Sequence, residues 1–133
     1  MEDYADAAYR HFEDAKLLHS QSPARLANAS HLYGFSFECV LKTIMSGAAK
    51  NGVAKKHMPE ILAEFLNHSV VKGNSRLAET IRRTSSGAFD MWLVSERYWH
   101  RQSTCFNSSR LTAEHESSQK LLNILEHWKR GRI

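Results

Sequence analysis

Apolar residues recur along much of this chain at intervals of three and four, the period of an amphipathic helix. Tyr4, Ala8, Phe12, Ala15 and Leu18 form one such stripe and predict a first helix over about 4–19. Acidic residues lie in its first turn, where the helix dipole favours them. Ser22-Pro23 reads as an N-cap followed by proline at the first helical position, opening a second helix that runs to about Met45. Leu26, Ala29, Tyr33, Phe37, Val40 and Ile44 form its main stripe, and Leu32, Phe35, Cys39 and Leu41 occupy other faces. A helix apolar on several sides touches more than one partner, so this one is expected at the centre of the fold. Gly47 and Asn51-Gly52 end the pattern, and 48–56 reads as a loop.

His57-Met58-Pro59-Glu60 opens a third helix with Leu62, Phe65 and Leu66 directed inward, and Gly73-Asn74 stops it. Ser75 is expected to cap a short fourth helix carrying Leu77 and Ile81, ending at Ser85-Ser86-Gly87. Residues 89–106 are aromatic and irregular and support no assignment. A final helix over about 109–129 carries Leu111, His115, Ser118, Leu122 and Leu125 on one stripe, with Leu121 and Trp128 alongside. The whole predicts an all-α, up-and-down helical bundle formed by one domain over 1–133, with a long helical hairpin at about 4–46.

Composition agrees. Leu and Ala number 27 against 15 for Val, Ile and Thr, which favours helix over strand. No apolar run is long enough to span a membrane, and the acidic start Met1-Glu2-Asp3 lacks the apolar stretch of a secretion signal. Cys39 and Cys105 stand far apart with no metal-binding spacing, so neither a disulfide framework nor a metal site is expected; a cytoplasmic location and no cofactor follow as expectations. The net charge is +4 but unevenly placed: residues 76–110 hold six arginines against three acids. Such a segment suits RNA or DNA contact, or is a solvated arginine-bearing surface.

Phosphate loops, nucleophile elbows and paired-histidine metal motifs are absent. The densest basic-aromatic cluster is Arg97-Tyr98-Trp99-His100-Arg101. Arg97, Tyr98 and Arg101 there could hold phosphate and stack a base. The competing expectation is that Trp92, Tyr98 and Trp99 close the end of the bundle while the arginines reach outward.

The run Ala15-Lys16-Leu17-Leu18, then Ala29, Tyr33-Gly34-Phe35, Phe37-Glu38-Cys39 and Leu41-Lys42, resembles the first hairpin of HEPN domains. These are small prokaryotic helical domains, often encoded beside nucleotidyltransferases or within toxin and defence systems. His57, Trp92 and Arg97-Tyr98 extend the resemblance, which covers about 4–128. Glu38 and Lys42 belong to the shared motif and also read as an exposed i, i+4 ion pair.

Catalytic HEPN domains carry Arg, four to six residues, then His near the start of the last long helix. Arg110 and His115 match that spacing and position, and Arg25 with His31 matches the spacing alone. The resemblance implies metal-independent RNA cleavage, with histidine handling a proton and arginine stabilising charge on phosphate. It also implies a homodimer whose cleft forms between two copies. The alternative is a non-catalytic module that binds a nucleotide or a partner protein such as a nucleotidyltransferase antitoxin. Residues five apart on a straight helix lie about 140° apart, so Arg110 and His115 cannot share one helix face.

Overall fold

A computed structural model describes residues 3–45 and 56–132, and among them the chain is all-helical with no strand. The order is α1 (Tyr4–His19), α2 (Leu26–Ile44), α3 (Glu60–Asn67), α4 (Ser69–Lys72), α5 (Ser75–Ser85), a 3-10 segment (Val94–Tyr98) and α6 (Ser108–Lys129). Of the loop expected at 48–56, residues 48–55, with Gly47 and Asn51-Gly52, lie outside the described residues.

The two long helices of the hairpin and the last helix follow the apolar stripes. Ala8, Phe12 and Ala15 of α1 are buried with Ala29, Tyr33, Phe37 and Val40 of α2. Ser36 Oγ donates to the Ala8 carbonyl at 2.7 Å, so small side chains bring the two backbones close. As expected, α2 is central: it packs against α1, α3, α6 and the 3-10 segment.

Helix ends differ from the sequence reading where tertiary contacts compete with local signals. The second helix starts at Leu26 rather than Pro23, because 20–25 is spent on the reversal, with the Arg25 N–H donating to the Leu18 carbonyl at 2.9 Å. The third region is two short helices, not one. Asn74, not Ser75, caps α5 through a 3.1 Å bond from the Leu77 N–H to its side chain. Asn107 caps α6 by accepting from the Arg110 N–H at 3.0 Å.

The irregular stretch before α6 is attached to α2 by Trp92. Its indole Nε1 donates to the Ser30 carbonyl at 2.9 Å, and the ring lies over Gly34. A Cβ on Gly34 would stand 2.0 Å from Trp92 Cε2, so only glycine permits this approach. Of the three aromatics expected to close the bundle's end, Trp92 alone is buried. Tyr98 is 77% and Trp99 44% exposed, because the 3-10 turn directs them away from the core.

Two clefts at the turn between α1 and α2

Glu38 and Lys42 are a correction to the exposed-pair reading: both are buried. Glu38 accepts from the Met58 N–H at 2.8 Å and meets His57 Nδ1 at 3.0 Å, which ties α2 to the approach of α3. The Lys42 ammonium stands 5.7 Å from the Tyr4 ring centroid. The motif pair thus joins α2 to its neighbours.

Arg110 and His115 go to different partners. The Arg110 guanidinium forms a two-bond fork with Glu96, 2.7 Å to each oxygen, and its Nε donates to Glu114 at 3.2 Å. Burial would lower the Arg110 pKa, but the Glu96 hydrogen bonds and the charges of Glu114 and Glu96 outweigh it, so its pKa rises and the group stays cationic. Glu114 is fully buried. It accepts from Ser30 Oγ at 3.0 Å, and burial pushes its carboxyl up to about 7 despite the Arg110 charge. Neither acid stood out in the sequence, since an isolated Glu on a helix reads as a solvated residue.

His115 instead meets Tyr33: its Nδ1 lies 3.0 Å from the Tyr33 hydroxyl, and its ring stacks on Phe12 at 5.4 Å between centroids. A second histidine, His19, approaches the same hydroxyl with its Nδ1 at 3.0 Å. The two imidazoles are 6.2 Å apart, centroid to centroid. They line a cleft of about 330 Å³ with Lys16, Ser20, Thr112 and Glu116. Burial lowers the His115 pKa, and the charges of His19 and Lys16 lower it further. His19 and Tyr33 were not singled out as site residues by the sequence, although Tyr33 lies in the hairpin motif and on the main stripe of α2.

A second cleft, of about 500 Å³, takes Pro23, Ala24 and Arg25 of the same turn into its lining. Arg25, Arg97, Arg101 and Trp99 line it, together with the first residues of α2. No side chain caps that end of α2, so the positive end of the helix dipole adds to three arginines there. Glu96 also lines this cleft, and Arg110 neutralises it. The Arg97 guanidinium stacks over the exposed Tyr98 ring at 4.8 Å. The structure thus gathers Arg97 and Arg101 around one concavity and adds Arg25, which the sequence offered only as half of a spacing match. Its apparent partner His31 points elsewhere, with its ring stacked on Trp92.

Among the described residues, no three His, Cys, Asp or Glu side chains gather as a metal site. No described helix is long and apolar enough to cross a membrane. Comparison with family models, curated proteins and solved structures finds no match.

Proposed function

We propose that this protein is an HEPN-like, metal-independent endoribonuclease of the toxin or defence class. It holds single-stranded RNA in the arginine-lined cleft and cleaves it at the histidine cleft. The observation that carries this reading is that both concavities draw lining residues from the one turn between α1 and α2. Ser20 lines the one with two imidazoles, and Pro23 the one with three arginines and a tryptophan. Arginine and an exposed indole suit phosphate and base, and a pair of imidazoles suits proton transfer, so the arginine-lined cleft is assigned to holding the strand and the histidine cleft to cleaving it. RNA is the substrate because its 2′-hydroxyl supplies the nucleophile.

Arg110 is assigned a positioning role in this scheme. It holds the 3-10 segment that carries Arg97 and removes the charge of Glu96 from the cleft. The same engagement of Arg110 supports a second reading, an RNA- or nucleotide-binding module without cleavage, because the family's arginine is here turned to carboxylates. A homodimer, or pairing with a nucleotidyltransferase antitoxin in the cytoplasm, is proposed with it. The exposed apolar side chains of Met91, Leu93 and Tyr98 offer the surface for such contact, and light scattering of the protein alone reports the homodimer directly.

The deciding experiment incubates labelled single-stranded RNA with the protein in EDTA. Wild type is expected to cleave, and His115→Ala and His19→Ala to lose on the order of a hundredfold or more in rate. Each of Arg25→Ala, Arg97→Ala and Arg101→Ala is expected to lower the slope of log affinity against log salt by roughly 0.7, one released counterion's worth on a single strand. Intact RNA across a broad substrate panel, with salt-dependent binding retained, selects the binding-module reading.

A further inference from the structure

Tyr33 Oη lies 3.0 Å from Nδ1 of His19 and 3.0 Å from Nδ1 of His115. A phenol has one hydrogen to donate and lone pairs to accept with. It can therefore donate to only one of the two imidazoles. The other contact is a hydrogen bond only if that Nδ1 carries its own hydrogen and donates to Oη. Oη could accept from both rings, but its own hydrogen would then have no acceptor, since this buried hydroxyl meets no other partner among the described residues. With that hydrogen given to one ring, the two histidines of the neutral site are opposite tautomers. The ring that accepts from Tyr33 carries hydrogen on Nε2. The ring that donates to Tyr33 has a bare Nε2. Both rings line the same cleft, and neither Nε2 has a protein hydrogen-bond partner among the described residues. Tyr33 itself is buried, which keeps its hydroxyl protonated, in line with a pKa raised to about 12 by burial and the charge of Glu114.

We infer that Tyr33 couples His19 and His115 into one acid-base device, a proton relay whose two ends are a bare Nε2 and an Nε2–H facing the same substrate cleft. The inference deepens the ribonuclease reading and rests on it for the substrate. In the first step the RNA 2′-oxygen attacks phosphorus and its proton passes to the bare Nε2. That ring's Nδ1 hydrogen moves to Tyr33 Oη, and the Tyr33 hydrogen moves to the opposite Nδ1. The second ring releases its Nε2 hydrogen to the departing 5′-oxygen as the P–O5′ bond breaks. The products are a 2′,3′-cyclic phosphate and a 5′-hydroxyl, and no net charge accumulates on the protein. The relay now stands in its mirror state, with the bare Nε2 on the leaving-group side. That state is the one required for water to attack the cyclic phosphate: the water proton enters there, and the 2′-oxygen leaves with a proton from the other ring. Hydrolysis therefore resets the relay. Lys16, in the same cleft, is the cation placed to meet charge on the phosphoryl oxygens.

Nitrogen-15 NMR of the imidazoles tests the coupling directly in the wild-type protein, above the pH at which the histidines ionise. The expected result is one ring of the His19/His115 pair as the Nδ1–H tautomer and the other as Nε2–H. In Tyr33→Phe this opposition is expected to vanish, with both rings returning mainly to the commoner Nε2–H form. Cleavage of RNA and hydrolysis of a nucleoside 2′,3′-cyclic phosphate should both fall in that variant by on the order of a hundredfold. Two rings in the same tautomer in wild type would overturn the coupling, with no variant needed. Opposite tautomers with undiminished rates in Tyr33→Phe would overturn the relay and leave the ribonuclease reading standing. Opposite tautomers in a wild-type protein that leaves both substrates intact would overturn the relay together with that reading, and show the tautomers to be structural.

Discussion

Arg110 and Glu96 meet through two parallel hydrogen bonds of 2.7 Å each, the planar fork of a guanidinium against a carboxylate. Their side chains are 15% and 5% exposed, so water does little to replace either partner. Arg110→Ala leaves Glu96 and Glu114 uncompensated and is expected to cost about 3 kcal/mol or more in chemical denaturation. Arg110→Lys keeps the charge and loses the fork, so it should recover only part of that. A change below about 0.5 kcal/mol for Arg110→Ala would show that the pair does not hold the 94–98 segment.

Gly34→Ala should be among the most damaging small substitutions in the chain. The new methyl would overlap the Trp92 indole, which is 1% exposed and bonded to the Ser30 carbonyl. Overpacking of this kind costs on the order of 1–3 kcal/mol and displaces the intruded-upon ring. Thermal unfolding should show the loss, and Trp92 fluorescence should shift to the red as the indole meets water. An unchanged melting temperature would contradict the close approach.

Glu114 sets a pH dependence of known sign. Its folded pKa, about 7, lies above the ordinary 4.5. The folded chain thus holds this proton more tightly than the unfolded one. The stability it contributes is fully present below about 4.5 and is lost as pH rises through about 7. At about 1.4 kcal/mol per unit the loss is bounded near 3 kcal/mol. His11, His31 and His115, whose pKa values burial lowers, act in the opposite sense and lose stability as pH falls through their folded values. The measurement is therefore a difference. Stability of wild type minus that of Glu114→Gln should decline from pH 5 to pH 8, and a flat difference would refute the raised carboxyl.

Glu38 satisfies the Met58 N–H and meets His57 from a buried position. Glu38→Ala should cost about 1–3 kcal/mol through the orphaned N–H, and Glu38→Gln, which keeps an acceptor, clearly less. Hydrogen exchange at the Met58 amide is the local probe: it should quicken strongly in the alanine variant and weakly in the glutamine one.

The sequence by itself determined the three long helices and the central place of α2, because the evidence for both is local. Tyr4, Ala8, Phe12 and Ala15 recur on one face whatever they pack against, and a helix apolar on several faces must be surrounded. The basic charge of the Arg97–Arg101 stretch was readable for the same reason. Tertiary structure alone decided which groups meet. Arg110 and Glu96 are 14 residues apart, Tyr33 and His115 82 apart, and no periodicity relates them. The spacing that linked Arg110 to His115 lay along one helix, yet residues five apart there face different neighbours. Arg110 turned to the carboxylates of Glu96 and Glu114, and His115 turned to the hydroxyl that α2 presents with His19 beside it. A buried cation needs an anion and a buried hydroxyl needs a partner, and only the packing of α1, α2 and α6 fixes which ones lie within reach.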